Sequence, residues 1–138
     1  MNWTYLLTGI EGRISRQPFW IALLPLIGLE IVAHFAMGER WSSIVSLILA
    51  YPEFAVFAKR GHDRNVPTWV PGPFIAAGAV LNVLVLLDLV GPMDAPNTLF
   101  YVIGVPLGIM ALILLVDFGF RRGTVGENRY GPDPLAAK

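Results

Sequence analysis

The chain has no cysteine. That excludes disulfide bridges, thiol catalysis and thiolate metal sites. Charge is scarce as well: 14% of the 138 residues are charged, against about 25% in an ordinary soluble domain. The formal net charge is zero and there are only two histidines, so no overall charge draws a nucleic acid and no spaced histidine pair suggests a metal site. Met1–Ile10 lacks the basic start and small-residue cleavage site of a signal peptide. Its Trp3, Tyr5, Leu6 and Leu7 read as a short segment lying along a membrane surface. No internal repeat or low-complexity stretch is present.

What the chain has in abundance is apolar sequence, with a hydrophobic fraction of 55% and a mean hydropathy of +0.61. It falls into four stretches, 18–37, 41–58, 69–90 and 98–120. A helix needs about 20 apolar residues, at about 1.5 Å each, to cross a hydrocarbon core about 30 Å thick. The expected fold is therefore all-α: one domain, a four-helix transmembrane bundle with short outer loops, a polar inner loop at Lys59–Thr68 and a non-helical C-terminal tail. If the N-terminus is cytoplasmic, nine of the ten Lys and Arg residues share that side, with Arg40 alone opposite. The positive-inside rule then puts both termini in the cytoplasm.

Prolines and glycines qualify the spans. Pro18 suits a first helical turn. Pro52 is expected to kink the second span. Pro71-Gly72-Pro73 fits the start of the third better than its interior. Gly104 and Gly108 form a small-xxx-small pair in the fourth, with Pro106 between them, and allow close packing within the chain or a homo-oligomer. Trp20 and Trp69 read as membrane anchors at the inner surface.

Ionisable residues inside a membrane are costly and need an account. Glu30 and His34 are four apart and share one face of span one. Glu53 follows Pro52, and Asn82 is the polar residue within span three. Glu30, His34 and Glu53 suggest a proton or ion path; the blander expectation is a hydrogen-bonded pair near the outer water layer, with Asn82 bonding a neighbouring helix. Asp117 and Arg121, also four apart, read as an intrahelical ion pair, and Asp88 as a solvated span end.

Three polar motifs remain. They are Gly12-Arg13-Ile14-Ser15-Arg16-Gln17-Pro18-Phe19-Trp20, then Lys59–Trp69 with Arg60, His62, Asp63 and Arg64, then Gly123–Pro134 with Gly126, Asn128, Tyr130, Gly131 and Asp133. In order and placement they resemble the bacterial inner-membrane family catalogued as domain of unknown function 805. Gly12, Arg13, Arg16 and Trp20 match its first block, Arg60, His62, Asp63 and Trp69 its second, and Gly123, Gly126, Asn128, Tyr130, Gly131, Asp133 and Pro134 its third. Lys59, Gly61 and Val66-Pro67-Thr68 depart from its pattern. The resemblance implies an inner-membrane location and about four helices, and implies no activity.

On the residues themselves, the motifs have three uses. One is a polar lock in which Arg and Asp side chains tie the inner loop to both termini. Another is a binding module. Arg13, Arg16, Arg60 and Arg64 would meet anionic lipid headgroups, a phosphate-bearing ligand or a protein partner, because the guanidinium fork matches phosphate oxygens; His62, Asp63, Asn128, Tyr130 and Asp133 complete that candidate set. The third is catalysis by His62 as general base, oriented by Asp63 or Glu127, for which no nucleophile pattern is present. The reading preferred is a non-enzymatic inner-membrane protein whose cytoplasmic polar cluster locks the bundle and meets anionic lipid, a phosphate-bearing ligand or a protein partner, with no cofactor, no metal and membrane lipids as its partners. A small oligomeric transporter using Glu30, His34 and Glu53 is the alternative.

Overall fold

A computed structural model describes residues 2–136; Lys138, counted above among the inner cations, lies outside them. The described chain is all-helical. α1 spans Trp3–Thr8, α2 Arg16–Met37, α3 Glu39–Asp63, α4 Gly72–Leu86 and α5 Thr98–Leu114. α5 runs on into a widened π-helical turn, Leu115–Phe120. Among the described residues, three helices are long and apolar enough to cross a membrane: α2, α3 and α5 with its π turn.

α2 and α3 are separated by one residue. Gly38 has φ +78°, a backbone region that side-chain-bearing residues rarely adopt. Its N–H caps α2 at the His34 carbonyl, 3.1 Å away, and the chain reverses at once into α3. Pro25, Pro52 and Pro106 lie inside α2, α3 and α5 without ending them.

Two boundaries differ from the hydropathy reading. The segment Lys59–Asp63, expected as loop, is the last turn of α3 and is buried. Its charged side chains all find partners elsewhere in the chain, so burial carries no unmet charge. The third apolar stretch yields a helix of only 15 residues, α4. By the standard rise that is about 22 Å, less than a hydrocarbon core. Pro71 and Pro73 delay its start, and it unwinds after Leu86 into a turn where Asp88 adopts φ +54°.

The apolar core is at one end. Leu6, Ile14, Phe19, Leu23, Val56, Phe57, Leu114 and Phe118 cluster there. Phe57 contacts Phe19 edge-on with ring centres 5.5 Å apart and lies 6.0 Å from Phe118. All described Lys and Arg residues except Arg40 lie at this same end, called here the basic end. α2 packs on α3, α3 on α4 and α4 on α5, and the π turn returns to touch both α2 and α3. α2 does not pack against α4 or α5. The bundle is thus closed at the basic end and splayed at the other.

Candidate functional site: a buried polar cluster at the basic end

Asp63, at the last position of α3, is the centre. Its carboxylate takes Arg13 through Oδ1, with Nη2 at 3.0 Å and Nε at 3.3 Å, and Arg60 through Oδ2. The side chains of Arg13, Arg60 and Asp63 are 1%, 0% and 4% exposed. Two cations on one buried carboxylate still leave a positive excess, and backbone carbonyls absorb it. Arg13 donates to the carbonyls of Gly126 (2.8 Å), Gly131 (3.0 Å) and Thr124 (2.6 Å). Arg60 donates to Phe118 and Arg121.

Those acceptors exist for a local reason. The last carbonyls of any helix lack intrahelical partners, and a π turn displaces its carbonyls from the regular ladder. The end of α5 therefore offers a row of acceptors. Phe118 takes Arg60, Gly119 takes the Trp20 indole N–H at 3.1 Å, Phe120 takes Arg16 at 3.2 Å and Arg122 takes Arg64 at 2.7 Å. Cations at a helix C-terminus are also favoured by the helix dipole. Asp117, within the π turn, bridges Arg121 at 2.8 Å and Arg64 at 3.2 Å, so the intrahelical pair expected from its spacing is part of a larger bridge.

Lys59 serves α1 in the same way. Its ammonium donates to the carbonyls of Tyr5 (2.6 Å), Leu6 (2.8 Å) and Gly9. α1 is six residues long and has no basic residue in its last turn, so a cation from α3 caps it instead. Sequence reasoning passed over Lys59; the one signal was a short helix ending in Thr8-Gly9 with nothing of its own to cap it.

The C-terminal tail folds under this end. Thr124 donates its N–H (2.7 Å) and its hydroxyl (3.0 Å) to the Asp63 carbonyl. Asn128 donates to the His62 carbonyl at 2.9 Å and to Thr124 Oγ1 at 2.8 Å, and its own Oδ1 accepts the Tyr130 N–H. Asp133 accepts the backbone N–H groups of Leu135 and Gly126, which hold its carboxyl below the ordinary 3.8. Close approach makes Gly123 necessary: a Cβ there would coincide with the Asp63 carboxylate.

His62 and Asp63, neighbours in sequence, do not touch each other. His62 Nδ1 lies 2.9 Å from the Gly12 carbonyl, which can only accept, so Nδ1 carries a proton. Nε2 faces Thr68 Oγ1 at 2.7 Å. The Tyr130 ring stacks on the imidazole with centres 3.8 Å apart and planes 4° from parallel, and Arg129 lies over the other ring of that stack. Both ring nitrogens are engaged and one face is covered, so the carboxylate-oriented base considered from the sequence has no counterpart in this arrangement.

The remaining sequence candidates are distributed as follows. Arg16 and Arg64 reach the cluster only at its rim. Trp69 is 72% exposed, whereas Trp20 is half-buried against Phe19 and Phe120. Glu30, His34 and Glu53 are remote from the cluster and line crevices between α2, α3 and α4. Asn82 bonds the Gly78 carbonyl within its own helix, at 3.1 Å, rather than a neighbouring one. Gly104 lies in ordinary contact with Leu81, and Gly108 faces open space. Among the described residues no group of three or more His, Asp or Glu is placed to hold a metal ion.

The chain is similar to known proteins. The chain is 30% identical over 140 residues to the uncharacterized protein YiiR of Escherichia coli strain K12, covering 96% of this chain and 90% of that one. It is 23% identical to the inner membrane protein YhaH of the same strain, covering 91% and 87%. No solved structure matches. The model of a family described as protein of unknown function, DUF805, matches residues 7–132, a stretch containing Arg13, Arg60, Asp63 and Asn128; the chain is an all-helical member of that membrane protein family.

Proposed function

We propose that the chain is a non-enzymatic, multi-pass protein of the bacterial inner membrane, with its basic end in the cytoplasm. That end is a lock joining three distant segments, and its outer rim of cations meets anionic headgroups. The convergence of Arg13 and Arg60 on buried Asp63 carries the reading. It moves the lipid contact away from the arginines first considered for it. Arg13 and Arg60 spend their donors inside the protein and Arg16 and Arg64 hold carbonyls at the end of α5, whereas Arg121, Arg122 and Arg129 lie at the exposed surface. Orientation is supported by the gathering of cations at one end, and location by the name of the relative YhaH.

Each cation near an anionic membrane surface contributes about 1 kcal/mol, roughly fivefold in affinity. The full chain bearing Arg122→Gln should therefore retain phosphatidylglycerol over phosphatidylcholine less selectively in native mass spectrometry. Its melting temperature should stay unchanged. Undiminished selectivity in that variant refutes the headgroup contact.

A further inference from the structure

The splayed end of the bundle encloses polar residues that the lock does not use. Between α2, α3 and α4 lie two adjoining cavities of about 370 and 220 Å³. Glu30, Ser46 and Asn82 line both, which makes them one crevice. It runs from His34 and Glu39 near the splayed end to Glu53, deeper in. Toward the basic end its wall includes Phe74, which packs against Phe57 of the apolar core.

The chemistry of the crevice is one-sided. It is lined by carboxylates and by no Lys or Arg. Among the described residues the Glu30 and Glu53 carboxylates make no hydrogen bond or ion pair, in contrast to Asp63 and Asp117, each of which holds two arginines. A carboxylate within a membrane helix is expensive without a partner and marks a ligand or ion path. The walls are mostly apolar and include Phe35, Phe100, Leu81 and Met93, and aromatic faces attract cations as well. A cavity of this size, apolar with a few convergent polar groups, suits a small organic molecule. The absence of three clustered ligating groups among the described residues argues against a divalent metal.

We propose that this crevice binds a small amphipathic ammonium cation, admitted from the splayed end, with Glu30 and Glu53 as its carboxylate partners. This site is separate from the basic-end lock. The test uses benzyltrimethylammonium, with benzenesulfonate as a control of similar size and opposite charge. Calorimetric titration of the full chain in phosphatidylcholine nanodiscs at pH 8, with empty nanodiscs subtracted, should give saturable binding of the cation and none of the anion. Glu30→Gln and Glu53→Gln preserve shape and should each weaken binding at least tenfold, about 1.4 kcal/mol. Gly78→Leu provides a route that leaves both charges in place. Gly78 lines the deeper cavity, and a Cβ there meets nothing within 4 Å, so the larger side chain should fill the space and block the cation. Arg122→Gln should leave binding unchanged. No saturable binding by the wild-type chain, or full binding by the folded double Gln variant or by Gly78→Leu, overturns the proposal.

Discussion

Replacing Asp63 by Asn removes one charge and almost no volume. In the native arrangement that charge faces two guanidinium groups whose side chains are 1% and 0% exposed. Asn retains one carbonyl oxygen, which suffices for Arg13. Its amide then points two hydrogens at the Arg60 donor that Oδ2 accepts, so one acceptor becomes a donor facing a donor. Removing one partner of a buried ion pair costs about 3–5 kcal/mol, because the other charge stays buried and uncompensated. With two cations stranded, the upper part of that range is expected. At about 3 °C per kcal/mol for a chain of this size, melting in detergent, followed by circular dichroism, should fall by about 10–15 °C. A double-mutant cycle with Arg13→Met should give a coupling of at least about 1 kcal/mol. A fall under about 2 °C, or additive single effects, refutes the claim that Asp63 holds this end together.

Three further outcomes follow from the same contacts. Gly123→Ala places a methyl group on the Asp63 carboxylate, so the tail must shift; a loss of about 1–3 kcal/mol and faster proteolysis after residue 122 are expected in a protease time course. Trp20→Phe leaves the Gly119 carbonyl, itself buried in the π turn, without its donor; about 1–3 kcal/mol should be lost in thermal unfolding. Asp133 has its carboxyl held below the ordinary 3.8 by the N–H groups of Leu135 and Gly126. Since the folded value is the lower one, its contribution is complete above about pH 4 and is lost as pH falls through the folded value. Amide exchange at Gly126, compared with that in Asp133→Asn, should accelerate below that point in the wild-type chain alone.

The helices were legible in hydropathy wherever partners did not matter. The first apolar stretch, 18–37, differs from α2 by two residues at its start. The errors fall where distant contacts decide. Lys59–Asp63 looks like a solvated loop because charge normally seeks water. It is helical and buried because its partners come from residues such as Leu6, Ile14, Phe118 and Arg121, roughly fifty residues away in either direction. No local pattern encodes that. The π turn left no recognisable trace in the sequence either, although its displaced carbonyls are what the arginines bind.

The motifs themselves were legible, and a lock between the inner loop and both termini was among their expected uses; which donors such a lock consumes was not legible. Arg13, Arg60, Asp63 and Asn128 were all singled out, and the structure brings them within one cluster around the end of α3. From sequence an arginine counts as an available donor. Here the number of donors matters less than the number of carbonyls waiting at helix ends. α1 ends with bare carbonyls and takes Lys59; α5 ends with more and takes Arg16, Arg60 and Arg64. The cations of this end thus divide by depth. Those that reach a helix terminus are consumed in holding it, and only those beyond the last carbonyl remain for the membrane surface. The same division leaves Glu30 and Glu53 without a basic neighbour: no described Lys or Arg lines their crevice, and the partner proposed for them is a cation from solution.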